Sequence, residues 1–424
     1  MLGMLRVDVA ERRRRLGIRH ALCPANRADD PVGAARRVVA LHATDPATVF
    51  LAVRARTDSV APAAVAEALY ERRALVRMLG MRRTVFVVPS DLMAVIEEST
   101  MPRIASAQRR LLIKHLRELT AVSDPEPWLA DVERSVLRAL AARGGTATAE
   151  QLSRDEPRLR TTLVVAQGKP YEARQNITSR VLLLLGAQGF IVRGLPTGSL
   201  LSQRYQWALA QQWLQTGEPP PPVQVGAGLA GAGMTGAGMT RAGLTGPRMA
   251  RAELARRWLA AFGPAPLADL QWWTGWSKSE ATQAAADLGV REVDLNGLPG
   301  VVLPDDLDAS PDPGQWAALL PALDPTVMGW LDRGWFLGGH EKALFDRTGN
   351  VGPTVWLDGR IVGGWAQRGD GEIAVKLLED VGGDATALVQ AEAVKLREWL
   401  GDLRFVPRFR TPVERELSAE WPRG

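Results

Sequence analysis

A mixed α+β chain of several units follows from three observations. Helical segments followed by a strand–turn–strand pair occur three times in series. A run rich in glycine and proline separates the second round from the third. The last part of the chain changes class, to short strands with one long helix. Helices followed by a two-stranded wing form the winged-helix pattern, a relative of helix-turn-helix. The expectation is three tandem winged-helix units followed by a C-terminal β-barrel-like domain. The expected boundaries are 1–122, 123–218, an insertion at 219–247, 248–304 and 305–424.

The length of 424 residues supports several cores rather than one. Hydrophobic content of 46% and charged content of 23% belong to a globular chain, and no run approaches the 18 apolar residues of a membrane span. The net charge of +5 is carried mostly by arginine, whose fork suits phosphate oxygens, so an anionic partner such as nucleic acid is expected. A codon bias toward arginine is the competing reading of that excess. One cysteine, Cys23, excludes a disulfide or cysteine metal site within the chain. The four histidines are scattered and none shows zinc-site spacing, so neither metal nor cofactor is expected. No secretion signal stands at the N-terminus, and a cytoplasmic, nucleoid-associated protein is expected. No heptad seam is evident, so a monomer is the default.

In the first unit, Val7 to Leu16 reads as a basic helix. A second helix is expected from Pro31 to Ala43, with Val32, Ala35, Val38, Val39 and His42 at helical spacing. Asp45-Pro46 reads as N-cap and first residue of a helix to Arg56, and another helix spans Pro62 to Arg72. Ala74 to Leu79 and Thr84 to Val88 read as a hairpin with a basic tip, Gly80 to Arg83. Leu92 to Thr120 reads as one connector helix.

The second unit reads as helices over Trp128 to Arg143, from Thr148, and from Tyr171 to Gln188, then strands on either side of a turn at Gly194 to Gly198. Arg174 and Arg180 then fall on its recognition helix. The stretch after Pro219 to Pro222 repeats Gly-Ala-Gly-Met-Thr with variations, and glycine at that density sustains neither helix nor strand. The third unit runs through helices at Arg248 to Phe262, Leu267 to Trp273 and Ser277 to Leu288, the last opened by a Ser277/Glu280 capping box. A hairpin around Asn296-Gly297 closes it. Beyond it, Asp358-Gly359 marks a hairpin turn, Glu372 to Leu377 a strand, Ala385 to Leu400 a helix, and Arg404 to Arg410 an extended segment.

Chemistry concentrates at Leu41-His42-Ala43-Thr44-Asp45-Pro46, which puts an imidazole, a hydroxyl and a carboxylate within four residues. An imidazole titrating near neutrality suits a general base. Asp45 is equally well explained as a helix cap, Thr44 as an ordinary helix-end residue and His42 as a packed histidine.

Several stretches taken together resemble the AlkZ/YcaQ-type winged-helix DNA glycosylases. They are Leu41 to Pro46 with Leu51 to Thr57, Met81-Arg82-Arg83-Thr84 running into Val87-Val88-Pro89, and Ser179-Arg180-Val181-Leu182. Asp269-Leu270-Gln271-Trp272-Trp273-Thr274-Gly275, Leu319-Leu320-Pro321-Ala322-Leu323-Asp324-Pro325 and the strands around Asp358-Gly359 complete the set. The resemblance covers nearly the whole chain apart from the glycine-rich insertion. It implies a DNA glycosylase that hydrolyses the N-glycosidic bond of alkylated or bulky-adduct purines in double-stranded DNA, in base excision repair. The family's Gln-hydrophobic-Gln or Gln-hydrophobic-Asp motif corresponds here to His42-Ala43-Thr44, a departure at both polar positions. The resemblance therefore makes His42, Thr44 and Asp45 the candidate catalytic residues. Arg82, Arg83, Arg174, Arg180, Arg408 and Arg410 are the candidate DNA contacts. No lysine lies near the motif, so a monofunctional enzyme without a Schiff base is expected. The departure leaves open a second reading, a non-catalytic DNA-binding regulator or lesion sensor on the same scaffold.

A phosphate-tracking protein releases counterions on binding, so its affinity for duplex DNA falls steeply as salt is raised in a binding titration. A nearly flat salt dependence is the contrary result.

Overall fold

The computed structural model describes residues 5–119, 122–165, 168, 172–215 and 246–419. The expected insertion at 219–247 lies outside them except for its last two residues. Backbone pairing gathers the strands into three small three-stranded sheets, one two-stranded hairpin and one four-stranded sheet among the described residues.

In the first sheet Val85–Pro89 lies between Leu75–Leu79 and Leu41–His42, antiparallel to both. The hairpin is where the sequence places it. The segment before it is not. The helix that begins at Pro31 stops at Arg37, and Val39 turns the chain at φ +66°. His42 therefore stands on a strand, not on a helix face. Val38 to Leu41 are all buried, so helical spacing could not be told from an apolar run. Pairing beside Val85–Pro89 satisfies the backbone groups that a continued helix would have satisfied internally.

The expected connector is two helices, Met93–Ser99 and Met101–Arg117, broken at Thr100. Pro102 cannot donate a backbone hydrogen bond into a preceding turn, so the break falls just ahead of it. In the second group the expected helix from Tyr171 is also shorter. Ala173–Asn176 is a strand paired with Thr162–Val165, and the helix runs only over Thr178–Ala187. The apolar stripe begins at Ile177 and continues through Val181, Leu182, Leu184 and Leu185, all buried. The polar residues upstream have no face to bury as a helix.

The third hairpin, Arg291–Leu295 with Leu298–Val302, turns at Asn296 and Gly297, which adopt φ +55° and +88°. The capping box is present, with Glu280 N–H donating to Ser277 Oγ and Ser277 N–H to Glu280. One strand of this sheet comes from elsewhere. Leu5–Arg6 adds to Arg291–Leu295 in parallel. Leu5 and Arg6 thus belong to the same sheet as residues nearly three hundred positions later.

The C-terminal part is an open antiparallel sheet in the order Ala317–Leu320, Thr354–Leu357, Arg360–Gln367, Ile373–Leu377. It does not close into the expected barrel. Helix Gly383–Leu400 lays Val389, Ala393, Leu396 and Leu400 on one face, against Leu319, Val355, Val362 and Trp365. Helix Pro412–Ala419 packs Val413 and Leu417 against Ala366 on the other. With both faces covered, the sheet buries its apolar side chains without curling on itself.

The first and third groups and part of the C-terminal sheet share one core, running from Leu16 through Phe86, Trp258, Trp273 and Trp330 to Trp356. Residues 112–207 hold a separate core around Leu129, Val136, Leu182 and Leu185. A fully buried ion pair ties the first group to the C-terminal part. Arg56 donates to both oxygens of Asp324 at 2.9 and 2.7 Å, and both side chains are 0% exposed. The second guanidinium nitrogen also reaches Thr326 Oγ1 at 2.8 Å. Thr326 Oγ1 in turn lies 2.9 Å from His20 Nδ1, and His20 Nε2 lies 3.1 Å from the Ala261 carbonyl. Burial and the nearby Arg56 charge hold His20 neutral, well below its ordinary pKa. The consistent arrangement is Nε2–H donating to Ala261 and Thr326 donating to Nδ1.

Asp324→Asn leaves a buried guanidinium without a counter-charge. We expect a loss of about 3–5 kcal/mol of unfolding free energy in urea titrations. Replacing Arg56 and Asp324 together by apolar residues should cost less than either single change.

Candidate active site

The corner Leu41 to Pro46 is held on three sides. Leu41 and His42 pair with Val87 and Phe86, and Ala43 N–H donates to the Val85 carbonyl at 2.8 Å. The Ala43 carbonyl accepts from Arg77 Nη2 at 2.8 Å. Asp45 caps the helix Pro46–Arg54 through Ala47 N–H at 3.1 Å, and its other oxygen accepts the backbone N–H of Arg408 at 2.9 Å. Both Asp45 oxygens are therefore engaged by backbone donors. Through Arg408 they also pin the extended segment near the C-terminus against the corner.

His42 is 8% exposed, and its ring meets Phe86 edge-on with centroids 5.5 Å apart. Phe86 leans on Trp273 at 6.4 Å, so the third group builds the wall behind the imidazole. Burial, and then the positive charge of Arg82, lower the His42 pKa to about 3. The ring is neutral across the physiological range. Its Nδ1 lies 3.5 Å from the Thr44 N–H. Thr44 is partly exposed, and its hydroxyl makes no hydrogen bond among the described residues.

Arg82 and Arg83 sit at the hairpin tip in left-handed backbone conformations, φ +53° and +62°. Arg82 lies 3.8 Å over the Trp272 ring, and Arg333 lies 5.3 Å from the same ring. Gly275, the left-handed cap of helix Leu267–Thr274, lets this happen. A Cβ there would come 3.2 Å from Arg82 Cγ. Arg82 Nε is buried without a partner, and burial with the neighbouring Arg333 charge lowers its pKa to about 10. Arg83 is exposed and donates to Gln108 at 3.1 Å. Arg180, 3.1 Å from His115 Nδ1, feels the charge of Arg83, so the hairpin tip and the second group meet here.

The other expected contacts separate. Arg174 is exposed on the strand Ala173–Asn176, not on a helix. Arg408 has an exposed side chain beside the corner. Arg410 is taken up by Glu414, at 2.6 and 3.0 Å, and by Ser418.

A family model described as DNA glycosylase AlkZ-like matches residues 35–399. The chain belongs to the AlkZ-like DNA glycosylase family. The expectation drawn from its motifs is thereby met, and DNA is the family's partner. The fold is similar to that of Streptomyces sahachiroi DNA glycosylase AlkZ, with a TM-score of 0.68 over 93% of this chain and 97% of that one, at 19% sequence identity. No curated protein sequence matches the chain.

Within this AlkZ-like scaffold, sequence reading missed Arg77, Arg193 and Tyr205. Arg77 is 6% exposed and supports the corner, while Arg193 and Arg77 lie 4.6 and 5.2 Å from the Tyr205 ring. The available signal was an arginine inside Leu-Val-Arg-Met-Leu, residues 75–79, an otherwise apolar strand.

An unfolded chain protonates histidine near pH 6.5, whereas the folded chain holds His42 neutral down to about pH 3. The unfolded state therefore takes up the proton first as pH falls. The stability tied to the neutral ring is full above about pH 6.5 and drains away toward pH 3. His42→Gln lacks this titration. Its unfolding free energy should fall less than the wild type's between about pH 7 and pH 4.5 in urea titrations.

Proposed function

We infer that the chain is a monofunctional DNA glycosylase acting on alkylated or bulky-adduct purines in duplex DNA. On this reading three winged helices present the corner to DNA. The observation that carries it is the corner itself. On the resemblance, His42 and Thr44 stand for the family's motif, and their corner is held by strand pairing, by Arg77 and by the Asp45 tie to Arg408.

A purine alkylated at N7 is already a cationic leaving group. The glycosidic electron pair departs onto N9 and neutralises the ring, so no acid is needed. What remains is to hold a water against C1′ of an oxocarbenium-like sugar. The neutral imidazole of His42 and the open hydroxyl of Thr44 orient that water. As its oxygen bonds to C1′ and the C1′–N9 bond breaks, its proton passes to bulk solvent, since an imidazole of such low basicity orients the water without taking up the proton. Asp45, with both oxygens engaged, acts as a positioning residue. Arg82, Arg83, Arg180 and Arg408 contact the backbone around the lesion, and Arg174 reaches DNA from the exposed hairpin. Arg410 contributes through its Glu414 pair to the segment that carries Arg408.

One observation favours a second reading. His42 is almost wholly enclosed and weakly basic, which suits a lesion sensor that binds without cleaving.

Duplex DNA carrying one N7-methylguanine separates the two. Alkali-labile abasic sites should form with wild type. They should fall by about 10²-fold or more in His42→Ala, with DNA binding retained by anisotropy and folding checked by melting. Tight binding without base release by wild type is the sensor's result.

A further inference from the structure

Several enclosed arginines of this chain are given a carboxylate. Arg15 pairs with Glu11 and Asp306, Arg56 with Asp324, Arg109 with Glu133, and Arg257 with Asp91 and Glu253. Others are not, Arg12 and Arg82 among them, and three more lie near the corner. Arg193 makes no hydrogen bond or ion pair among the described residues and rests only on aromatic faces, 4.6 Å from Tyr205 and 5.5 Å from Trp207. Arg77 spends one nitrogen on the Ala43 carbonyl, while its buried Nε has no partner. Among the described residues the Arg408 side chain has no acidic partner, and its backbone N–H is the group bound to Asp45.

These groups feel one another. Burial lowers the Arg193 pKa to about 10, and the charges of Arg77 and Arg408 add to the effect. Asp45 acts on Arg77, but its oxygens are already filled by Ala47 and Arg408 amides. Like charges drawn together, with Asp45 acting on Arg77 and not on Arg193, cost free energy that an incoming anion offsets. Arg193 and Tyr205, though not Arg77 or Arg408, line a cavity of about 390 Å³ with Trp207, Thr178 and Ser179, in an otherwise apolar wall that includes Met78, Leu182 and Ile191. Charged guanidinium, hydroxyls and an aromatic floor suit a phosphodiester and its sugar.

The geometry points to Arg193, with Arg77 behind it at the same Tyr205 ring and the exposed Arg408 side chain on the corner, as the seat for one backbone phosphate of bound DNA, flanking the nucleotide whose base faces His42. The Arg77 bond to Ala43, between His42 and Thr44, and the Arg408 bond to Asp45 couple this seat to the corner. A phosphate gripped there sets the register of the sugar against the motif. Arg193 is thus a positioning residue. This rests on the DNA-glycosylase reading, which supplies the anion.

The test uses the full chain and a duplex with one tetrahydrofuran abasic analogue, followed by anisotropy across a salt series. Arg193→Ala should reduce the slope of log K against log salt by about 0.9, the share of one phosphate, and Arg193→Lys should restore most of it. Single methylphosphonates placed in turn around the analogue should weaken wild type by about tenfold at one position and leave Arg193→Ala insensitive there. If Arg193→Ala melts below the assay temperature, Arg408→Ala carries the same comparison, since that side chain is exposed. A variant with the wild-type slope and methylphosphonate profile overturns the seat while leaving the glycosylase reading intact. Inorganic phosphate binding that depends on Arg193, with no change in DNA slope, also overturns it and marks a small-anion site instead. A wild type that fails to bind the duplex removes both.

Discussion

The Arg56–Asp324 pair is the constraint on which the arrangement turns. It joins the end of the helix that follows the His42 corner to the strand-and-turn segment Leu319 to Pro325, and neither partner touches solvent. A buried ion pair contributes little net stability, because desolvation offsets most of its attraction. What it contributes is selection. Any packing that separates the two elements leaves a naked charge in the core, so alternatives are strongly disfavoured. Thr326, His20 and Ala261 extend the network into the third group, and Thr48 adds a bond to the Ala322 carbonyl at 2.8 Å. Segments far apart in sequence are thereby held in one register around the corner.

That register explains the corner's unusual electrostatics. The walls around His42 come from two groups, Phe86 behind it and Trp273 behind Phe86, with Arg82 fixed across Trp272. Removing water from the imidazole suppresses its charged form more than any single neighbour does. The ring is left with hydrogen-bonding capacity and little proton affinity. Such a group suits a reaction whose leaving group needs no protonation and whose nucleophile needs orientation.

The positive charge of the chain is also ordered by packing. Much of it is cancelled locally, as in Arg158 with Asp131 and Glu156, or Arg248 with Asp287. Net charge alone therefore says little about a DNA surface. Arginines without a carboxylate are the more informative ones, and they include Arg77 and Arg193 near the motif as well as Arg12 and Arg13 in the basic first helix.

The sequence by itself determined the family, the position of the polar cluster, the turns and most helices. Asp45-Pro46, Ser277/Glu280 and Asn296-Gly297 act through neighbours a few residues away, so their meaning is local. It did not determine that His42 lies on a strand or that residues 173–176 pair as a hairpin. In both places the local apolar pattern is ambiguous or absent, and long-range pairing decides. Nor could it show that the last sheet stays open, since that depends on helices covering both faces. The basicity of His42, the engagement of both Asp45 oxygens and the gathering of Arg77, Arg193 and Arg408 were decided only by tertiary structure. Each depends on at least one group more than thirty residues away, brought in by packing that no sequence window contains.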